Sequence, residues 1–377
     1  MMKSKFLILL IAIPFLFSSC NNKTAGNDKE GDSLSFSYAK NITIVKHDGY
    51  YIAELTDPWH KGKALHKYLI AGKQTKIPAD TQGATVVRVP LGKCVISTSV
   101  HCELARLLGK ENSIAGVCDA AFLNAGWMKD RLKGKLTTDC GNSMSPDIEK
   151  IISISPDAIF LSPLQNTGGY GKVEKLGVPI IELADYMEPT ALGRAEWVRF
   201  YALLLGAEDR GEKMFAETEH DYNALKETAH KARSCPTVVM DKPESGIWYL
   251  PGGQSTMAQL LKDANTRYIY ANDKSAGSIQ RAPESVLAEC ANADIWLLRY
   301  YKPGNAMTLG EFDSENKGFK LIKAFKEKNV YGCNTATNTF FEDVPFRPNL
   351  LLRDFIIVAH PEMKGRGGTK YFKLIEE

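Results

Sequence analysis

The chain has 377 residues, 44% of them hydrophobic and 24% charged, with a formal net charge of +3. That is an ordinary globular balance without a basic excess, so no nucleic-acid partner is expected. The length suits two domains better than one. No stretch after Phe17 reaches the roughly 20 apolar residues that a membrane-spanning helix needs.

Lys3 and Lys5 precede an apolar run from Phe6 to Phe17, which is followed by Ser18-Ser19-Cys20. A basic start, a short apolar run and small residues are the parts of a secretory signal. Leu16-Phe17-Ser18-Ser19-Cys20 resembles the bacterial lipobox, in which the cysteine is acylated and becomes the mature N-terminus. Residues 1–20 are therefore expected to be a lipoprotein signal peptide and lipobox, with the lipid on Cys20. Acyl chains stabilise membrane attachment by roughly 0.8 kcal/mol per buried methylene. Residues 21–33 are almost wholly polar and read as a flexible tether. Asn21-Asn22-Lys23-Thr24 lacks clustered acids, which points to a periplasmic, membrane-anchored lipoprotein of a Gram-negative-type envelope.

Residues 34–188 are expected to hold a β-rich extension and a first lobe. β-like runs fall at Tyr50–Leu55, Leu65–Ala71, Thr85–Val89 and Cys94–Ser97. Val100, Leu104, Leu107 and Leu108 then recur at helical spacing, and Gly109 stops that helix. Lipidation of Cys20 leaves seven of the eight cysteines. These are Cys94, Cys102, Cys118, Cys140, Cys235, Cys290 and Cys333. None has the C-x2-C spacing of a zinc site, and several sit in apolar runs, so packing as small hydrophobes is expected.

One segment repeats. Ser145-Pro146-Asp147 leads through an apolar helix to Asp157-Ala158-Ile159-Phe160-Leu161. Ala282-Pro283-Glu284 leads in the same way to Asp294-Ile295-Trp296-Leu297-Leu298. Proline and an acid start a helix well, and an acid followed by an unbroken apolar run reads as a buried parallel strand. The two halves are therefore expected to be similar α/β lobes. Between them, Pro189 to Leu205 reads as one helix ended by Gly206, followed by a second helix from Asp209 to Ala232. Residues 189–206 are the expected connecting helix, and residues 207–377 the second lobe.

These features together resemble the substrate-binding proteins of ABC importers for iron–siderophore complexes, haem and cobalamin. The likeness runs from about Lys93 to Glu362. It is carried by Cys94-Val95-Ile96-Ser97-Thr98-Ser99, the block from Ser145-Pro146 to Ser155-Pro156-Asp157, Leu176-Gly177-Val178-Pro179, Arg347-Pro348 and His360-Pro361-Glu362. The resemblance implies an α/β fold of two Rossmann-like lobes joined by a long helix, with the ligand in the cleft between them. It implies a monomer working with an ABC permease and its ATPase. The ligand would be a small-molecule metal chelate, with ferric siderophore ahead of cobalamin and haem. The segment Ser35–Val89 exceeds what the family carries before its first strand, and the resemblance gives it no role. Asp130 and Glu244 lie where permease-docking acids are expected but depart from the pattern.

In open α/β sheets ligands bind beyond the carboxyl ends of the strands. The candidate contacts there are Thr98, Ser99, Asn166 and Tyr170 in lobe one and Trp248, Tyr249, Ser255, Arg281, Arg299, Tyr300 and Tyr301 in lobe two. The resemblance adds Trp127. Arg299-Tyr300-Tyr301 follows the buried strand Ile295–Leu298, where charge and aromatic surface are not needed for packing and would suit a bulky, flat-faced complex. His101 reads as a helix-end residue rather than a metal ligand. No metal site and no resident cofactor are expected, and no catalytic motif is present, so the chain does not read as an enzyme. A metallocofactor-handling or assembly factor is the alternative from another class.

Overall fold

Alternating burial along β2 (Ile42–Lys46), with Ile42 and Ile44 buried and Thr43 exposed, shows how the first strands settle. A strand turns successive side chains to opposite faces, so one face must find a core. β1 (Asp32–Leu34), β2, β3 (Tyr50–Thr56), β4 (Ala64–Gly72) and β5 (Thr85–Val89) form one sheet in that order. The pairs are antiparallel except β4 with β5, which is parallel. The inner face is Ile42, Ile44, Ala53, Leu55, Tyr68, Ile70 and Val87, and it joins the apolar core of the first lobe. The extension is thus continuous with that lobe rather than a separate bead.

The computed structural model describes residues 32–123, 125–163, 169–362 and 367–377, all within the compact unit Gly31–Glu377. Cys20 and Asn166 lie outside the described residues. No helix among the described residues is long and apolar enough to cross a membrane.

Lobe one runs β6 (Cys94–Ile96), α1 (Ser99–Leu107), β7 (Ile114–Val117), α2 (Gly126–Lys133) and β8 (Thr138–Asp139). A hairpin of β9 (Gly141–Asn142) and β10 (Ser145–Pro146) leads to α3 (Ile148–Ile154), β11 (Ala158–Leu161) and β12 (Ile180–Glu182). Its parallel sheet has the order β12-β11-β6-β7-β8.

The connector differs from the single helix expected over 189–206. It is two helices, α4 (Ala191–Glu196) and α5 (Val198–Leu205), that meet at Trp197. Thr190, not Pro189, caps the first, its hydroxyl accepting from the Gly193 amide, and Gly206 ends the second at φ +63°. The long element is α6 (Glu208–Ala229), 22 residues, or about 33 Å at 1.5 Å per residue. Phe215 on α6 belongs to the lobe-one core, whereas Tyr222, Leu225 and Ala229 belong to that of lobe two. One helix therefore passes through both cores.

Lobe two runs β13 (Thr237–Met240), β14 (Pro243–Glu244), β15 (Ile247–Pro251), α7 (Thr256–Asp263), β16 (Arg267–Tyr268) and β17 (Ser278–Arg281). It continues with α8 (Pro283–Glu289), β18 (Ile295–Tyr300), α9 (Leu309–Glu315), α10 (Lys323–Lys326) and β19 (Val330–Asn334). It closes with α11 (Phe340–Asp343), α12 (Pro348–Ala359) and β20 (Lys373–Leu374). The main sheet has the order β16-β13-β18-β19-β20, parallel but for β20, and β14-β15-β17 forms a separate antiparallel flap.

The repeated segment is a real structural repeat. α3 leads into β11 and α8 into β18, each an interior strand of its sheet. The two acids do the same work. The Asp157 carboxylate accepts from the Gly92 and Lys93 amides (2.7 and 3.1 Å) at the entry to β6, and Asp294 accepts from the Thr237 amide (2.8 Å) at the entry to β13. The helix starts differ by a step. Pro283 is the first residue of α8, whereas Pro146 sits in β10 and Asp147 is the cap of α3.

The extension is bolted to the connector by two buried carboxylates. Glu196, fully buried, accepts from the amides of Ser37, Tyr38 and Ala39 at 2.8–2.9 Å. Glu188 accepts from the amides of Lys40 and Asn41 and from Trp197 Nε1. The Tyr38 ring packs against both lobes' cores, and its hydroxyl donates to Glu219 on α6 (2.7 Å). Glu188 is nonetheless held above the usual carboxylate range, because burial outweighs those donors.

Candidate ligand-binding site

Parallel strands deliver their following loops to one end of a sheet, and two adjoining cavities lie there. A cavity of about 330 Å³ is lined from lobe one by Val100, from the connector by Arg194, and from lobe two by residues including Pro251, Ser255, Arg299, Phe340 and Phe341. A second, of about 260 Å³, shares Arg299 and Phe341 with it and adds Asp241, Lys242, Glu244, Tyr249, Tyr300, Tyr301 and Thr335. Val100 follows β6, Asp241 to Glu244 follow β13, Tyr301 follows β18, and Thr335, Phe340 and Phe341 follow β19, while Tyr249 and Pro251 come from β15 of the flap. Volumes of this order suit a small-molecule cleft.

Arg299 projects from the end of β18 into both cavities but is not a free cation. Its Nε and Nη2 donate to the two oxygens of Asp241 at 2.9 and 2.6 Å, a bidentate pair. Burial works against the guanidinium's charge, yet Asp241 more than offsets this and holds it above its ordinary value. Asp241 follows β13 at φ +57°, a left-handed conformation that aspartate tolerates better than most residues. Arg194 repeats the arrangement, donating from Nε to Asp185 at 2.9 Å. Asp185 is fully buried and also accepts from Tyr201 (2.8 Å) and pairs with His101 Nε2 (2.8 Å). Burial alone would raise Asp185, but His101 and Arg194 hold it below the usual carboxylate range.

The structure places the remaining candidates unevenly. Tyr249 and Tyr301 are 41% and 66% exposed and line the second cavity. Trp248 is a correction: it is fully buried, stacks on Trp296 and donates its Nε1 to Met240 O at 3.0 Å. Because β15 alternates faces, only one of two adjacent aromatics can look outward. Tyr300 is 8% exposed, and its hydroxyl accepts from the Met307 amide, so only part of its surface reaches the cleft. Ser255 lines the first cavity while capping α7, where it accepts from Ala258 N and donates to Gly252 O.

Thr98 and Ser99 are turned to structure rather than to the cavities. Thr98 caps α1 and bonds His101 Nδ1 (2.6 Å), and the Ser99 hydroxyl serves Glu342. Trp127 donates Nε1 to Glu103 (3.0 Å) beneath Arg106, and Tyr170 donates to Glu182 (2.6 Å); neither lines a described cavity. Arg281 is exposed over the Tyr270 ring. Sequence reasoning missed Arg194, Asp241, Phe340 and Phe341. An acid closing the apolar run Val238-Val239-Met240 was the available signal for Asp241.

Among the described residues no group of three or more His, Cys, Asp or Glu side chains is arranged to hold a metal. Cys94, Cys102, Cys118, Cys140, Cys290 and Cys333 are buried free thiols, while Cys235 is exposed.

A family model described as "Periplasmic binding protein" matches residues 95–337. A lipoprotein of Methanocaldococcus jannaschii is 25% identical over 95% of this chain and 93% of its own length. A periplasmic heme binding protein from Pseudomonas aeruginosa superposes with a TM-score of 0.59 at 14% identity, covering 76% of this chain and 99% of that one. Helicobacter pylori CeuE with Ni(II) bound superposes with a TM-score of 0.58 at 19% identity, covering 77% and 90%. These two likenesses are of fold. With the family match spanning most of both lobes, the chain belongs to the periplasmic binding protein family and is a substrate-binding protein rather than an enzyme.

Proposed function

We propose that the protein is the lipid-anchored, extracytoplasmic substrate-binding component of an ABC importer, carrying an organic metal chelate, foremost an iron complex. The observation that carries this reading is the pair of adjoining cavities at the carboxyl ends of both lobes' strands, which combine guanidinium edges with exposed Tyr249, Tyr301 and Phe341. Aromatic faces pack on flat chelates, and anchored guanidiniums present fixed donors to their oxygens. The haem named for the Pseudomonas relative and the Ni(II) of the Helicobacter one support metal-containing cargo. Cys20 and the lipoprotein relative support the anchor. Since α6 runs through both cores, opening takes the form of small adjustments rather than a wide hinge swing.

The test is calorimetric titration of the purified protein with ferric siderophores, haem and cobalamin side by side. Binding of at least one in the micromolar range or tighter, lost on Tyr249→Ala together with Tyr301→Ala, is the expected result. Absence of binding to all three refutes the reading.

A further inference from the structure

The cleft's cations do not stand alone, and that bears on what it holds. Three reach the cavities: Arg194, Lys242 and Arg299. Arg194 is paired with Asp185, and Arg299 is held at two points by Asp241. Lys242 meets Glu315 at 2.7 Å and Glu244 at 3.4 Å. Each of these three cations thus has at least one carboxylate in direct contact. Asp185 and Asp241 are 0% and 8% exposed, so neither can swing away into water when a ligand arrives.

We infer that the cleft selects a metal chelate of no net negative charge, gripping it through aromatic and hydrogen-bonding contacts; this rests on the importer reading above. An anion entering the cleft sheds hydration without meeting uncompensated positive charge. Pulling Arg299 away from Asp241 to serve the ligand strands a buried carboxylate, which is strongly unfavourable. A neutral complex incurs neither cost. It can take the remaining guanidinium N–H donors as hydrogen-bond partners and lay an apolar face on Tyr249, Tyr301 and Phe341, which are 41%, 66% and 51% exposed. The carboxylates behind the arginines therefore act as specificity-determining residues, orienting the donors and cancelling their charge.

The experiment compares a neutral ferric trihydroxamate with a trianionic ferric tricatecholate, by calorimetry on the full chain in detergent. The expected result is that the neutral complex binds at least tenfold tighter. Asp241→Asn, which keeps an acceptor for Arg299 and tolerates the same backbone angle, should improve tricatecholate affinity about tenfold, the scale of one uncompensated charge near a protein surface. Glu244→Gln, at a side chain 66% exposed, shifts the ratio in the same direction and covers the case in which the first variant does not fold. Equal or tighter tricatecholate binding by the unmodified protein, or a ratio that neither variant moves, overturns the inference while leaving the importer reading intact. Failure of every chelate, haem and cobalamin included, overturns both.

Discussion

Replacing Glu196 with glutamine tests whether the extension is fastened through this one carboxylate. Glu196 Oε1 accepts from the Ser37 amide and Arg199 Nη1, and Oε2 accepts from the Tyr38 and Ala39 amides, all at 2.8–2.9 Å. Glutamine keeps one accepting oxygen and turns an NH2 group toward two donors. Whichever way the amide is placed, two bonds to a charged acceptor are lost, at about 1.5 kcal/mol each, for a cost of about 3 kcal/mol. The segment from Ser37 to Asn41 either stays docked, so that the whole cost appears as global destabilisation, or peels off locally. Peeling relieves the buried donors but gives up the packing of Tyr38 on Phe215 (centroids 6.1 Å apart) and its bond to Glu219. Guanidinium unfolding reads the first outcome. Hydrogen exchange reads the second, as about a hundredfold faster exchange at the amides of Ser37, Tyr38 and Ala39. Unfolding free energy within about 0.5 kcal/mol of the unmodified protein, together with unchanged exchange at those amides, would refute the fastening.

Three further outcomes follow from the packing. Trp248→Ala should lower stability by about 3–5 kcal/mol in urea unfolding, whereas Tyr249→Ala should leave stability nearly unchanged and weaken ligand; equal stability losses would contradict the assignment of faces along β15. Asp185→Asn should cost about 3 kcal/mol at pH 7 by leaving its buried partners uncompensated. Because the folded-state carboxyl is held below its unfolded value, the Asp185 contribution is complete above about pH 4 and fades as pH falls further. The gap between unmodified and variant protein should therefore shrink as pH falls below about 4; a gap that does not diminish there rejects the ion-pair account. In native protein a thiol reagent should titrate Cys235 at once and the other described cysteines only after unfolding. Burial pushes Cys94 and Cys333 up to about 12 and Cys140 up to about 11. Rapid reaction at Cys140 or Cys333 would show those thiols to be less enclosed.

What was legible in the sequence was what neighbouring residues decide. The strands β3, β4 and β5, the helix expected from Val100 and found as Ser99–Leu107, and the Asp157/Asp294 repeat all rest on contacts within a short stretch or on a pattern that two lobes share. The connector was misread because helical spacing continues straight through Trp197, while the break there is set by tertiary packing. Trp197 is fully buried and donates to Glu188. The role of the extension was out of reach for the same reason. The carboxylates that hold Ser37 to Asn41 lie 147 to 159 residues further along the chain.

The cleft carries this distinction furthest. The pattern of an arginine and two tyrosines at the end of a buried strand identified a functional position, and Arg299 does line both cavities. Residue type alone also suggested positive charge, and there the sequence misled, because a side chain's field depends on what stands behind it. Asp241 is 58 residues away in sequence and one strand away in space, since β13 pairs with β18. The same parallel pairing that brings both carboxyl ends to the cleft brings the acid to the base. In a sheet of this topology, charge introduced at one strand end is readily compensated from the next. The polarity of such a cleft is therefore a property of strand order rather than of any single loop. That is why changing Asp241, which follows a different strand from the one that carries Arg299, should alter ligand preference as well as stability.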